Sequence, residues 1–126
     1  DLSITAEQVP SVIDELPALG ALAAHGSVVE VSGASELRHK ESDRIASFAK
    51  GLRALGADVD ERADGFIASR QNKLKGGTAD AAGDHRLVMA FAIAALAGES
   101  PSAIMDSGSV DISYPGFFSA LDMLRQ

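Results

Sequence analysis

The chain has 126 residues, of which 46% are hydrophobic and 23% charged, a composition typical of one globular domain rather than of a disordered chain. With 18 acidic against 11 basic residues it has a formal net charge of −7, which argues against a nucleic-acid or membrane-surface partner. No Cys is present, which excludes a disulfide scaffold and thiolate chemistry, and no apolar stretch approaches the roughly 18 residues of a membrane span.

Hydrophobic periodicity predicts the element order β-α-β-α-β-β over residues 1–70. The predicted elements are, in chain order, a strand at 2–4, a helix at 13–24, a strand at 28–31, a helix at 41–55 and strands at 57–61 and 66–69. Both helices stop at a glycine, Gly26 and Gly56, as helices commonly do. Asp64-Gly65 between the last two strands is a hairpin signal.

Residues 78–126 predict a shorter copy of this unit in the order β-α-β-α. After a turn-rich connector, its elements are a strand at 78–82, a helix at 86–97, a strand at 102–105 and a helix at 117–124. Alternating strands and helices predict an α/β (α+β) layered fold in a single partial domain, with unit 1 at 1–70 and an incomplete unit 2 at 78–126. The second unit lacks two closing strands, so another segment is expected to cover its sheet edge.

The segment at residues 38–44 concentrates three fixed positive charges, two negative charges and a histidine at the entrance to the second helix. Its acids suit the first turn of a helix, whereas Arg44 does not, because a cation is unfavourable there unless an anion is bound. Backbone N–H groups together with Lys40 and Arg44 would form a phosphate or carboxylate site. The alternative is a solvated turn in which Glu41 and Arg44 make a weak surface pair.

Two further polar clusters lie at strand-to-helix junctions. Asp84 suits the N-cap of the apolar helix that follows it, whereas His85 and Arg86 are not needed for capping and could bind an anion or move a proton. Asp14 begins the first helix, where capping and binding of a substrate hydroxyl explain it equally well. Because ligands gather at such loop ends in α/β sheets, the three junctions together predict a site for a small anionic substrate.

Other kinds of site have weaker support. The three histidines show no metal-ligand spacing, and no Gly-rich nucleotide loop is present, so we expect no metal and no nucleotide. Near the end of the chain, Ser113 or Tyr114 could line a pocket, although packing of Tyr114 and Phe117 against the final helix explains that segment as well.

Residues 37–45, Leu-Arg-His-Lys-Glu-Ser-Asp-Arg-Ile, closely resemble the L-R-x-K-E-[ST]-D-R motif of the 3-phosphoshikimate 1-carboxyvinyltransferases, also called 5-enolpyruvylshikimate-3-phosphate (EPSP) synthases. Three more segments resemble signatures of that family and occur in its order, at residues 13–17, 83–86 and 113–117. From the first to the last, the four segments extend over residues 13–117, which is nearly the whole chain. The UDP-N-acetylglucosamine enolpyruvyl transferases share the fold but not the K-E-[ST]-D-R motif.

The resemblance implies a fold and a reaction. Members of the family have two similar domains, inside-out α/β barrels of three β-α-β-α-β-β units each, with the active site in the cleft between them. They transfer the enolpyruvyl group of phosphoenolpyruvate to the 5-hydroxyl of shikimate 3-phosphate, with release of phosphate, in the shikimate pathway, and they need no metal or organic cofactor. Glyphosate is the family's inhibitor. The chain opens on Asp1 rather than Met, which indicates an internal start, and the resemblance implies roughly the last third of such an enzyme, inactive without its N-terminal part.

The resemblance also implies catalytic roles for three residues. Asp14 resembles the carboxylate that hydrogen-bonds and deprotonates the attacking hydroxyl. Glu41 resembles the acid/base that protonates the methylene carbon of phosphoenolpyruvate and later takes a proton back. His85 resembles an accompanying proton-transfer or orienting residue. The addition step needs one group that accepts a proton and one that donates a proton. In the elimination step one of these proton transfers runs in the opposite direction, so two carboxylates can serve both steps.

Three cations are similarly matched with substrate binding. Lys40 resembles a ligand of shikimate 3-phosphate, and Arg44 and Arg86 resemble the guanidinium clamp on the phosphate and carboxylate of phosphoenolpyruvate. Where some members carry a Lys that reaches phosphoenolpyruvate, this chain has Asp111-Ile112. The resemblance places the parent enzyme in the cytoplasm of a bacterium or the plastid of a plant. The competing hypothesis is a stand-alone anion-binding α/β module without catalysis.

Overall fold

A computed structural model describes residues 1–106 and 109–114, and for residues 106 and 109–114 it describes the backbone alone. The strands are β1 (Leu2–Ile4), β2 (Val29–Val31), β3 (Asp58–Arg62), β4 (Gly65–Ser69), β5 (Thr78–Asp80), β6 (Ser102–Asp106) and β7 (Ser109–Tyr114). The helices are α1 (Val9–Val12), α2 (Leu16–Gly20), α3 (Arg44–Leu55) and α4 (His85–Ala95), with 3₁₀ segments at Ile13–Glu15, Ala21–His25 and Ser35–His39. Among the described residues no helix combines the length and the apolar character needed to cross a membrane.

The strands form two sheets. The first has the order β1-β2-β4-β3, in which β1 and β2 are parallel and the other pairs antiparallel. The second has the order β5-β6-β7, in which β5 and β6 are parallel and β7 is antiparallel to β6. Parallel pairs connected through helices, next to antiparallel pairs, confirm the predicted mixed α/β class.

The six predicted strands are all present, with ends within two residues of those expected. The hairpin between β3 and β4 differs by one position, since its loop is Ala63-Asp64 and Gly65 already pairs with Arg62. A Cβ atom on Gly65 would overlap the backbone carbonyl of Val31, so β4 can approach β2 this closely only because position 65 has no side chain.

The predicted continuous helix at 13–24 is wrong. In its place α1, a 3₁₀ segment, α2 and a second 3₁₀ segment follow one another from Val9 to His25. Pro17 has no N–H to donate to the carbonyl of Ile13, and the N–H of Leu16 bonds to that carbonyl in the tighter 3₁₀ pattern. The predicted stop at Gly26 is confirmed, because Gly26 adopts the left-handed conformation with φ 107°.

Helix α3 begins three residues later than predicted. Asp43 has an extended backbone and its side chain accepts a hydrogen bond from the N–H of Ala46 at 3.1 Å, so it is the N-cap. Glu41 and Ser42 therefore lie in the connection before the helix rather than in its first turn. Arg44 becomes the first helical residue, and Gly56 ends the helix as expected.

The second half contains a strand that the sequence analysis missed. Strand β7 pairs with β6 through residues that had been considered only as pocket lining or as packing for a final helix. Its apolar residues, at positions 110, 112 and 114, alternate as they do in a half-buried strand. The predicted order β-α-β-α for the second half is thus wrong after β6. The predicted final helix at 117–124 lies outside the described residues.

Helices α3 and α4 pack side by side in one continuous hydrophobic core. Phe48 of α3 lies 4.6 Å from Phe66 of β4, ring centre to ring centre, and 6.5 Å from Phe91 of α4. All three rings are buried in a cluster that includes residues from both sheets. This packing sets the two helix entrances, at Arg44 and Asp84, next to each other.

The close contact between the two helices depends on Gly51, because a Cβ atom at this position of α3 would overlap the ring of Phe91. We expect Gly51→Ala to lower the free energy of unfolding by about 1–3 kcal/mol through overpacking. That loss exceeds the gain of about 0.5–1 kcal/mol that Ala normally brings to a helix interior. Urea unfolding of the full-length protein measures it, with the exposed Lys50→Ala as the control on the same helix. Adding Phe91→Leu should recover part of the loss; unchanged stability of Gly51→Ala would contradict the packing.

Candidate active site

The guanidinium of Arg44 lies at the centre of an ionic cluster between the two helix entrances. Its Nε donates to Oδ2 of Asp84 at 2.8 Å, and its Nη1 donates to Oδ1 of Asp14 at 3.0 Å. Its Nη2 donates to Glu41 and, at 3.3 Å, to Oδ1 of Asp84. The Glu41–Arg44 pair of the predicted alternative is present, but the Arg44 side chain is only 3% exposed, so the description of this segment as a solvated surface turn is wrong.

Asp84 has two functions in this structure. As predicted, it is the N-cap of α4, where its Oδ1 accepts the N–H of Arg86 at 3.0 Å. Its other oxygen, Oδ2, accepts from Nε of Arg44 and from the hydroxyl of Ser42 at 2.8 Å. With 1% of its side chain exposed, it is a fully buried carboxylate whose charge is balanced by a buried guanidinium.

Both members of this buried pair remain charged at neutral pH. Burial alone would raise the pKa of Asp84, but hydrogen bonds from Arg44, Ser42 and the N–H of Arg86 outweigh it and lower the pKa below its usual value. Burial likewise opposes the charge of Arg44, whereas its bonds to Asp84 and Asp14 raise its pKa further above the usual range. The pair is therefore an ion pair throughout the physiological range.

The lowered pKa of Asp84 makes the stability of the protein sensitive to acid. The folded protein holds a proton at Asp84 less tightly than the unfolded chain, so the stabilisation is complete above the unfolded pKa of about 3.9 and is lost as the pH falls through the lower folded pKa. Urea unfolding of the full-length protein between about pH 7 and pH 2 should show a smaller acid-induced loss in Asp84→Asn than in wild type. Asp58→Asn, at an exposed position of β3, is the control. Equal acid dependence of wild type and Asp84→Asn would contradict this linkage.

Asp14 connects the cluster to a second guanidinium. Its carboxylate, 47% exposed, bonds to Arg44 and lies 4.0 Å from Nη2 of Arg86. Arg86 is also 3.9 Å from Glu15, and neither separation is a hydrogen bond. Asp14 lies within a 3₁₀ segment before α2 and caps no helix, so the capping explanation for it is wrong. Within the described residues, Arg86 therefore keeps its side-chain donors available to a ligand.

Lys40 and His85 lie at the same two helix entrances but take no part in the cluster. Lys40 directly precedes Glu41, and His85 is the first residue of α4. Both are exposed, and neither forms a hydrogen bond or an ion pair with any residue in the described part of the chain. In particular, Lys40 is not within ion-pair distance of Asp14 or Glu41.

The structure thus brings together four of the six predicted site residues, Asp14, Glu41, Arg44 and Arg86. With Ser42 and Asp84 they form what we call the Arg44 cluster. The hydrogen bonds that Asp84 accepts from Ser42 and Arg44 were not predicted, because each joins residues about 40 positions apart in sequence. A carboxylate in the polar entrance of an otherwise apolar helix is the only sequence signal that points to Asp84 as more than a cap.

The Arg44 cluster is suited to exchange one set of anions for another. Asp84 is buried and fixed, whereas the other two acids on Arg44, Asp14 and Glu41, are 47% and 67% exposed and can move. An incoming phosphate or carboxylate can take their places on the donors of Arg44 and add those of Arg86. The displaced acids would then lie beside the bound anion, free to accept or donate a proton.

Comparison with known proteins decides the family. The model of the EPSP synthase (3-phosphoshikimate 1-carboxyvinyltransferase) family matches residues 1–121. The chain belongs to the EPSP synthase family. It is 52% identical over 118 residues to a 3-phosphoshikimate 1-carboxyvinyltransferase of Acidithiobacillus ferrooxidans, with 92% of this chain and 27% of that protein covered. It is 44% identical over 119 residues to the same enzyme of Desulforudis audaxviator, with 93% and 28% covered.

The fold agrees with this membership. A solved structure of EPSP synthase from Acinetobacter baumannii matches with a TM-score of 0.73 and 38% identity over 81% of this chain and 25% of that one. The architecture described above is therefore part of the enolpyruvyl transferase fold. The chain spans between a quarter and a third of the length of the EPSP synthase relatives it matches.

Proposed function

We propose that the chain is the C-terminal part of an enzyme that transfers the enolpyruvyl group of phosphoenolpyruvate to the 5-hydroxyl of shikimate 3-phosphate and releases phosphate. The observation that carries this proposal is the meeting of Asp14, Glu41, Arg44 and Arg86 at adjacent helix entrances. Two solvent-exposed carboxylates beside two guanidinium groups are what a proton-dependent reaction of an anionic substrate needs. Membership of the EPSP synthase family supports the choice of substrates.

The two exposed acids would perform the proton transfers. In the addition step, the oxygen of the 5-hydroxyl bonds to C2 of phosphoenolpyruvate while Asp14 accepts the proton of that hydroxyl. Glu41 delivers a proton to the methylene carbon. In the elimination step, Glu41 takes a proton back from the resulting methyl group, the carbon–carbon double bond re-forms, and phosphate departs as its C–O bond to C2 breaks. Both acids contact the same guanidinium, which supports their action on one substrate.

The cations would hold the substrates. Phosphoenolpyruvate has a phosphate and a carboxylate, and the planar donors of Arg44 and Arg86 suit both groups. Lys40, exposed and without a partner in the described part of the chain, would bind shikimate 3-phosphate. His85, at the start of α4, would orient a substrate or assist a proton transfer from the same edge. No residue of the Arg44 cluster requires a metal or an organic cofactor for these roles.

The remainder of the parent enzyme would supply the other half of the cleft. We propose that residues 1–126 are a single partial domain, with one unit at 1–70 and an incomplete unit at 78–126, and that this piece is inactive alone. The open arrangement of Lys40, His85 and Arg86, all reachable by solvent, supports a cleft that other residues complete. The relatives named above are bacterial, which favours a cytoplasmic parent over a plastid one.

The test is phosphate release by the full-length protein supplied with phosphoenolpyruvate and shikimate 3-phosphate together. We expect release only when both substrates are present, with the enolpyruvyl ether as the second product. Binding of phosphoenolpyruvate without any turnover would overturn the proposal in favour of an anion-binding module. Release that requires UDP-N-acetylglucosamine in place of shikimate 3-phosphate would overturn the acceptor.

A further inference from the structure

We propose that Asp84 is the positioning residue for Arg44, fixing the plane of its guanidinium so that the free donors point at the substrate anion. The inference rests on the proposed function, because it concerns the same site. Asp84 contacts Arg44 through two atoms, Nε at 2.8 Å and Nη2 at 3.3 Å, which determines the orientation of the planar group. A single contact would leave the guanidinium free to rotate.

The burial of the partners separates a permanent contact from exchangeable ones. Asp84 is 1% exposed, whereas Asp14 and Glu41 lie on the open side of Arg44. A substrate anion can replace the two exposed acids, but it cannot reach the buried side. Asp84 therefore keeps Nη1 and the outer N–H of Nη2 aimed at the position that the anion takes, before the anion arrives. Such preorganisation lowers the cost of orienting the donors during binding.

The same carboxylate connects the two arginine-bearing helix entrances. It accepts the N–H of Arg86, at the start of α4, and the hydroxyl of Ser42, just before α3. Its position thereby fixes the spacing between Arg44 and the backbone of Arg86. Losing the negative charge at position 84 should impair binding of phosphoenolpyruvate through both arginines, although Asp84 itself touches no substrate.

The test compares Asp84→Asn with Asp43→Asn in the full-length enzyme. Asp43 is a matched control, since it caps the neighbouring helix α3 and pairs with an arginine, Arg38, at 2.9 Å, but does not contact Arg44. We expect Asp84→Asn to raise the KM for phosphoenolpyruvate by up to about 10²-fold, the size of effect that a misplacement of about 1 Å produces. The KM for shikimate 3-phosphate should change much less. Asp43→Asn should leave the KM for phosphoenolpyruvate within about twofold, because Asn caps a helix about as well as Asp and the weakened pair with Arg38 lies at the surface.

Other outcomes separate the two proposals. Equal KM values for phosphoenolpyruvate in the two variants would overturn the positioning role while leaving the proposed function intact. Absence of turnover in the wild type would overturn the proposed function. In that case, calorimetric measurement of inorganic phosphate binding still tests whether Asp84 positions Arg44. Weaker binding in Asp84→Asn than in Asp43→Asn supports the positioning role, and equal binding overturns it.

A milder pair of variants covers the case in which Asp84→Asn does not fold. Ser42→Ala removes the hydroxyl that holds Oδ2 of Asp84, and Ser47→Ala, inside α3, makes the same change where no side-chain contact to the Arg44 cluster exists. We expect a severalfold rise in the KM for phosphoenolpyruvate in Ser42→Ala and none in Ser47→Ala. No difference between these two variants would also overturn the positioning role.

Discussion

Replacing Glu41 by Gln in the full-length protein is expected to reduce kcat by about 10²–10⁴-fold, the contribution of a positioned general acid or base. The amide cannot deliver or accept the proton at the methylene carbon of phosphoenolpyruvate. The fold should survive, because the Glu41 side chain is 67% exposed. Its ion pair with Arg44 joins residues three positions apart on the solvent-exposed side of the Arg44 cluster, and such pairs contribute little to stability. Arg44 keeps its contacts with Asp84 and Asp14 in the variant.

The measurement is phosphate release under saturating phosphoenolpyruvate and shikimate 3-phosphate, with urea unfolding as the test of the fold. Glu30→Gln is the matched control, since Glu30 is exposed on β2 and has no side-chain hydrogen bond or ion pair within the described residues. Near-normal kcat in Glu41→Gln would refute the proposed acid/base role. So would an equal loss in Glu30→Gln, since that would indicate a general effect of removing negative charge.

Local rules were sufficient for most of the fold. Alternating and β-branched residues predicted all strands except β7, and Gly26 and Gly56 predicted two helix ends. The exceptions each have a local cause. Pro17 interrupts a helix that its apolar neighbours favour, and the side chain of Asp43 takes the N-cap that moves the start of α3. Strand β7 was not predicted, although Val110, Ile112 and Tyr114 alternate with polar residues as in a half-buried strand.

The candidate site could be predicted only in part, because its contacts are tertiary. The helix entrances and their charges are visible in the sequence, and so is the unfavourable position of Arg44 at a helix N-terminus. The explanation of that position is not visible, since Asp14 and Asp84 come from 30 residues before and 40 residues after Arg44. The expected compensation was a bound anion alone. In the structure, three carboxylates of the chain itself compensate the charge of Arg44.

Under the proposed function, these three carboxylates would reconcile a strongly acidic chain with an anionic substrate. In the structure, the acids balance the charge of Arg44 and allow it to be buried. With the substrate bound, its own anionic groups would neutralise the two arginines, and Asp14 and Glu41 would become available for proton transfer. Binding of the substrate would then also release Asp14 and Glu41 from Arg44, so that these acids would transfer protons only when the substrate is present.

The second large effect is expected for Arg44→Met, which removes the counter-charge of Asp84 and, under the proposed function, a substrate contact. Truncating one partner of a buried ion pair leaves an uncompensated buried charge and costs about 3–5 kcal/mol of unfolding free energy. The equivalent change Arg38→Met removes an arginine with partners at the surface, Asp43 and Glu61, and should cost about 1 kcal/mol or less. Urea unfolding of the full-length variants measures the difference.

The double variant Arg44→Met with Asp84→Asn distinguishes charge imbalance from loss of packing. An amide at position 84 carries no charge. Its carbonyl oxygen can still accept the N–H of Arg86, and its NH2 can donate to the hydroxyl oxygen of Ser42, so the double variant should be more stable than Arg44→Met alone. Activity should not return, because the donors for phosphoenolpyruvate are still missing. A double variant less stable than Arg44→Met would mean that the buried carboxylate is tolerated without its arginine. Turnover near the wild-type level in either variant would mean that Arg44 does not bind the reacting substrate.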